Sequence, residues 1–290
     1  MRKYFLKIKE KFSIALQLLK ENNRNKIGDT LGSWARGNVV FEKLKKENDP
    51  KKILEIINQN DVFIIKGNSF LKGIVNEDYK FIYYPISKVA CTTLKAAVIS
   101  SLENREILPE NVNTLRDIHR YKFKYKSISK SGNGDVVADY YKFAFVRNPW
   151  DRLVSCFLNK TNCGGIDSYK GIYSRFHFLY GNLFKNKMNF RDFVEYVSSI
   201  PDEKSDDHFR SQYHFLTFDN GNKIPDFIGR FENLDEDIKK ISSQIGINLN
   251  ISSFNTNKNR EHYKNYYDDY TKELVRKRYK EDIEIFGYDF

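Results

Sequence analysis

The chain has 290 residues, 40% of them hydrophobic and 30% charged. That apolar fraction can bury a core, which excludes wholesale disorder, and the length suits one large domain with additions better than two. Forty-nine Lys and Arg against 38 Asp and Glu leave a formal charge of +11, which draws anionic partners (nucleotides, nucleic acid, acidic glycans or lipid headgroups) without choosing among them. The three cysteines, Cys91, Cys156 and Cys163, are too few for a disulfide scaffold and include no CxxC pair for zinc, so a reducing compartment or a redox-indifferent protein is expected.

No uninterrupted apolar run reaches the roughly 18 residues of a membrane span. Near the N-terminus Phe5, Ile8, Phe12, Ala15, Leu16 and Leu19 recur at helical spacing, with lysines between them. Lys and Glu interrupt the apolar centre that a signal peptide requires. The stretch reads as a basic amphipathic helix that packs on the domain or, alternatively, makes peripheral contact with an anionic membrane surface. Residues 20–50, rich in Asn, Lys and Gly, read as a connection, and a helix over 51–58 follows Pro50. We divide the chain into an N-terminal helical extension and linker, 1–60, and a main domain, 61–290.

In the main domain, Lys80-Phe-Ile-Tyr-Tyr-Pro85 reads as a short buried strand that stops at proline. A helix over 92–102 follows, turning Leu94, Ala97, Val98 and Leu102 inward. A second unit repeats the pattern. The strand Tyr141-Lys-Phe-Ala-Phe-Val146 ends at Arg147; Asn148 suits the helix N-cap, Pro149 the first helical position and Asp151 the first turn. Leu153/Phe157 and Val154/Leu158 form i,i+4 pairs on its buried face. A third strand over 226–232 precedes an acidic helix over 234–244 that Gly246 ends, and a last helix is expected over 270–285. Strands alternating with helices imply a parallel, three-layer α/β architecture. Ser131-Gly-Asn-Gly-Asp135 is a loop and lacks the third glycine of a dinucleotide fingerprint.

The first strand–loop–helix places Lys88, Cys91, Thr92 and Thr93 at a helix N-terminus, where unpaired N–H groups and the helix dipole can cradle a phosphate. A purely structural Thr-Thr cap is the competing account, and no GxxxxGK[ST] motif is present. Arg147 lies just past the end of a strand, where open α/β sheets bind ligands, and Ser155 follows about two helical turns later. Together they suit a second phosphate. Arg152 is either a third cation there or a surface residue.

These residues carry a resemblance. Pro85-Ile-Ser-Lys-Val-Ala-Cys-Thr-Thr-Leu-Lys95 resembles the 5′-phosphosulfate loop of carbohydrate sulfotransferases, the group of the chondroitin and HNK-1 enzymes and their bacterial relatives. Phe145-Val-Arg-Asn-Pro-Trp-Asp-Arg-Leu-Val-Ser-Cys-Phe-Leu-Asn-Lys160 resembles the family's 3′-phosphate motif, with Arg and Ser eight apart. Asp226-Phe-Ile-Gly-Arg-Phe-Glu-Asn-Leu-Asp-Glu-Asp237 and a Phe-Gly-Tyr at 286–288 follow in the same order. This sequence departs from the vertebrate enzymes in placing Ile86-Ser87 between the proline and the lysine.

The resemblance implies a P-loop-NTPase-like sandwich with a central, mostly parallel sheet flanked by helices. It also implies the donor 3′-phosphoadenosine 5′-phosphosulfate (PAPS), bound through Lys88, Val89, Ala90, Cys91, Thr92, Thr93, Arg147 and Ser155, and sulfuryl transfer to a carbohydrate or glycolipid hydroxyl. Lys88 would stabilise the leaving oxygen. His119, in a His-Arg pair between the two motifs, is the first candidate for the base, and His208, in Asp206-Asp-His-Phe-Arg-Ser-Gln212, is the second. His177, His214 and His262 read as surface or packing residues. No metal is expected, since neither HExxH nor EF-hand spacing occurs. A nucleotide-dependent small-molecule kinase and a basic nucleic-acid-binding module are the competing functions. The first lacks a Walker lysine; the second would need its basic residues in one stripe, whereas here they are dispersed. No nucleic-acid partner is therefore expected. A cytoplasmic location is expected, or one peripheral to the inner face of the membrane.

Overall fold

The computed structural model describes residues 43–59, 70–103, 125–129, 139–161, 179–185, 188–249 and 261–290, with single positions at 40, 107, 118, 121, 123 and 251. The N-terminal amphipathic helix and most of the connection lie outside these residues. Of the extension, helix α1 (Pro50–Gln59) is described, and its Ile53 and Ile57 are fully buried.

Five strands form one sheet in the order β3-β1-β2-β4-β5: β1 is Phe70–Asn76, β2 Phe81–Tyr84, β3 Tyr125–Ser129, β4 Tyr141–Val146 and β5 Phe227–Arg230. Strands β2, β4 and β5 are parallel, while β1 pairs antiparallel with both β2 and β3. The three parallel strands are those the sequence pattern marks. All of β2 and the 143–146 run of β4 are buried, as expected of central parallel strands covered on both faces. The result is an α/β fold with a mixed sheet flanked by helices, in which β1 and β3 extend the expected parallel core.

Helix α2 (Cys91–Glu103) buries Leu94, Ala97 and Val98 against the sheet. Helix α3 is Pro149–Thr161. The Asn148 side chain accepts the N–H groups of Trp150 at 3.0 Å and Asp151 at 3.4 Å, which caps α3 as its sequence anticipates. Helices α4 (Phe190–Ser199), α5 (Tyr213–Leu216) and α6 (Leu234–Ile245) follow, and Gly246 ends α6 with φ 74°. The single C-terminal helix expected over 270–285 is instead two, α7 (Asp269–Arg278) and α8 (Lys280–Phe286). They break at Tyr279, whose buried hydroxyl donates to the Phe209 carbonyl at 2.6 Å. The helical periodicity of the sequence runs through the junction, where the Tyr279 backbone leaves the helical conformation with φ −116° and ψ 31°.

Apolar side chains gather in two clusters. One joins the sheet to α2 and α6; the other joins α1, α3, α4 and α7 around Trp150, Phe157, Phe193 and Phe209. Among the described residues, no helix is long and apolar enough to cross a membrane. Gly229 of β5 pairs with Phe145 of β4, and a β-carbon at Gly229 would stand 2.5 Å from the Phe145 ring. Gly229→Ala is therefore expected to destabilise the fold by about 1–3 kcal/mol through overpacking. A denaturant midpoint unchanged from wild type would contradict this packing.

Candidate functional site

Because β2 and β4 are parallel neighbours, with Tyr84 opposite Ala144, the segments that leave them emerge side by side at the C-terminal end of the parallel strands. The first runs through 85–90 into α2. Ile86 and Val89 are buried in the sheet core and pin it, so Val89 contributes its side chain to packing. Lys88 and Ala90 take left-handed backbone conformations, with φ of 69° and 45°, which cost L-residues roughly 1–2 kcal/mol each. Alternating handedness is the backbone pattern that turns successive N–H groups toward an anion, and this segment leads directly into the first turn of α2. Cys91 is half-buried there, and Thr92 and Thr93 are buried. Cys91 and Cys156 are both reduced thiols, and Cys163 lies outside the described residues.

The second segment begins at Arg147, which is 6% exposed. Its Nε donates to Asp151 at 2.7 Å and its Nη1 to the Lys88 carbonyl at 3.1 Å, and the guanidinium lies 3.9 Å from the centre of the Phe231 ring. Arg147 thus joins the two candidate phosphate loops by a direct bond. Ser155 is half-buried one helical turn beyond Asp151, on the same face of α3 as the Arg147–Asp151 pair. The main chain of Arg147 is clamped by the Gln212 side chain, which accepts its N–H at 2.9 Å and donates to its carbonyl at 2.8 Å.

Arg152 is not the surface residue of one sequence reading, and its guanidinium is engaged by main-chain carbonyls. It is 2% exposed and donates to the main-chain carbonyls of Ser87, Arg210 and Asp207 at 3.0, 2.8 and 3.1 Å. Its position three residues after Pro149 turns it inward, toward the loop that follows β2.

His208 stands on the neighbouring segment. Its Nδ1 lies 2.5 Å from Oδ1 of Asp206, and the same oxygen accepts the His208 N–H at 3.0 Å. Asp206 is fully buried, whereas the His208 side chain keeps 21% of its surface exposed. A carboxylate at Nδ1 favours the tautomer whose Nε2 carries the lone pair, the arrangement a proton acceptor needs. His119 lies outside the described residues, as does His177. His214 is half-buried at α5, and His262 accepts the Lys264 N–H at 3.4 Å in a surface turn. The loops and His208 are thereby bonded into one region of the molecule.

Two supporting residues carry no role in the sequence reading, Gln212 and Asp282. Asp282 of α8 is fully buried and accepts the N–H groups of Gln212 at 2.8 Å and Tyr213 at 2.7 Å, holding the Gln212 clamp in place. One signal in the sequence could have marked it. Val275, Tyr279 and Phe286 lie seven and three residues before and four after Asp282, so a lone acid sits on an apolar face.

Burial raises the Asp282 carboxyl to about 6, against the opposing pull of the Gln212 and Tyr213 N–H groups and of Arg152. The folded protein therefore holds this proton to higher pH than the unfolded chain, whose Asp titrates near 3.9. The stabilisation is complete below that value and is lost as pH rises through about 6. Its full size is at most about 3 kcal/mol. Stability measured from pH 4 to 7 is expected to fall more steeply for wild type than for Asp282→Asn, which has no titrating group there. Parallel curves would contradict the assignment.

A sequence model of the sulfotransferase family matches residues 72–289. Among curated proteins, the chain is 28% identical over 190 residues to carbohydrate sulfotransferase 14 of Danio rerio, covering 60% of this chain and 48% of the relative. It is 30% identical over 200 residues to carbohydrate sulfotransferase 12 of Mus musculus, covering 58% and 46%. It is 24% identical over 213 residues to carbohydrate sulfotransferase 11 of Mus musculus, covering 63% and 55%. The chain spans about half the length of these relatives. No solved structure matches it significantly. The matched span takes in both candidate phosphate loops, β5 and the C-terminal helices. The chain belongs to the sulfotransferase family and is similar within it to the carbohydrate sulfotransferases.

Proposed function

We propose that the chain transfers a sulfuryl group from PAPS to a hydroxyl group of a carbohydrate or glycoconjugate. The observation that carries this reading is the bond from Arg147 to the Lys88 carbonyl, which makes one site of two anion-binding segments. A donor with phosphate groups at both its 5′ and 3′ positions needs two such segments at a fixed separation. The loop at Lys88 and Ala90 and the first turn of α2, with Thr92 and Thr93, suit the 5′ group. Arg147 and Ser155 suit the 3′ phosphate, where a guanidinium already oriented by Asp151 gives a charge-assisted contact.

Bound PAPS supplies the sulfuryl group: the acceptor oxygen bonds to sulfur as the bond from sulfur to the 5′-phosphate oxygen breaks. Lys88 places its ammonium group where negative charge grows on that phosphate oxygen. The proton of the acceptor hydroxyl passes to a histidine, His119 or His208. His208 has the Asp206 carboxylate at Nδ1, which orients its ring and stabilises the imidazolium that forms. The acceptor is a sugar by similarity to the relatives' named activity, and the surplus of positive charge suits an anionic glycan.

Titration with 3′-phosphoadenosine 5′-phosphate (PAP), followed by transfer of radiolabelled sulfate from PAPS across a panel of glycans, tests the reading. Wild type is expected to bind PAP and label at least one glycan; absence of both would contradict it. Arg147→Lys keeps the charge but not the fork, so PAP affinity is expected to fall on the order of tenfold to a hundredfold. Unchanged affinity would remove Arg147 from the 3′ site.

Lys88→Ala is expected to lower kcat by on the order of 10²–10³ while PAP affinity falls less. A variant that loses affinity and keeps its saturated rate would make Lys88 a phosphate anchor only. For the base, loss of proton transfer is worth roughly 10²–10⁴ in kcat. The acid limb of the pH–rate profile is expected to vanish in either His119→Ala or His208→Ala, and that variant identifies the base. Persistence of the limb in both would exclude the two histidines.

A further inference from the structure

Two peptide groups flank the α-carbon of Lys88, and each is held by an arginine. Arg147 bonds the Lys88 carbonyl and Arg152 bonds the Ser87 carbonyl. Orienting both peptide planes sets the two dihedral angles of Lys88, so the left-handed φ of 69° and the direction of its Cα–Cβ bond are fixed together. The other two donors of Arg152 reach the carbonyls of Asp207 and Arg210, on either side of His208. The Asp207 carbonyl belongs to the peptide group that enters His208. One planar, buried guanidinium therefore spans the loop carrying Lys88 and the segment carrying His208.

We infer that Arg152 is a positioning residue for sulfuryl transfer, setting the separation between the Lys88 loop and the His208 segment. The inference rests on the reading of the site as a PAPS-dependent centre. Displacing a reacting group by about 1 Å can cost a hundredfold in rate, whereas phosphate binding spread over a helix terminus and several side chains tolerates such a shift better. A lysine at this position keeps the charge but has no rigid fork to bridge the two segments.

The test is a double-mutant cycle on kcat, using radiolabelled PAPS and the glycan labelled fastest by wild type. Arg152→Lys is expected to lower kcat tenfold or more while changing PAP affinity by threefold or less. In a Lys88→Ala background, the same substitution is expected to cost a clearly smaller fraction of kcat than in wild type, because one of the two groups it positions is gone. Equal fractional losses in both backgrounds, or an unchanged kcat in Arg152→Lys, would overturn the inference. Arg152→Gln, which retains a planar donor without the charge, runs through the same cycle if the lysine variant does not fold. Failure of both variants to fold, with wild type active, would make Arg152 structural only and overturn the inference. A wild type that neither binds PAP nor labels any glycan would instead sink the reading of the site itself.

Discussion

The grip of two buried arginines on the main chain around Lys88 is the interaction on which the site depends. At Lys88 the loop combines a left-handed backbone with a cationic side chain. Glycine would supply the backbone at little cost but has no side chain, whereas lysine brings its charge and a conformational penalty of roughly 1–2 kcal/mol. A hydrogen bond from a charged donor is worth about 1.5–3 kcal/mol. Two such bonds are enough to offset the strain at Lys88.

The third motif and the C-terminus work as the frame for this arrangement. Glu232 accepts the Asn148 N–H at 2.7 Å and the Tyr288 hydroxyl at 3.1 Å, while the Asn148 side chain donates to the Asp289 carbonyl at 2.7 Å. Arg230 donates to the Phe286 carbonyl at 2.5 Å and lies 4.8 Å from the centre of the Tyr288 ring. Phe231, between them in sequence, presents its ring to the Arg147 guanidinium. The end of β5 and the residues after it therefore fasten the C-terminal tail to the start of α3 and seat the Arg147 guanidinium. Trp150 adds a second fastening, donating to the Lys272 carbonyl at 3.1 Å and meeting the Phe290 ring edge-on.

What can be read from sequence follows from how local each signal is. The strands β2 and β4 are continuous apolar runs, and the Asn148-Pro149 start of α3 is a local capping pattern, so both are legible. Strands β1 and β3 pair with each other across more than fifty residues of chain, and their sequences, FLKGIVN and YKSIS, carry weak alternation. Position at strand ends suggests the roles of Lys88 and Arg147. Nothing local suggests those of Arg152 and Gln212, and Asp282 is marked only as a lone acid on an apolar helix face, because each acts through main-chain groups 55 to 70 residues away. A buried arginine bonded only to carbonyls has no sequence partner to reveal it.

The most direct test of the central claim is a crystal structure of the chain with PAP. The account predicts the 5′-phosphate against Lys88 and the first turn of α2, the 3′-phosphate against Arg147 and Ser155, and the Arg147 bond to the Lys88 carbonyl intact. PAP bound elsewhere, or touching only one of the two segments, would contradict it.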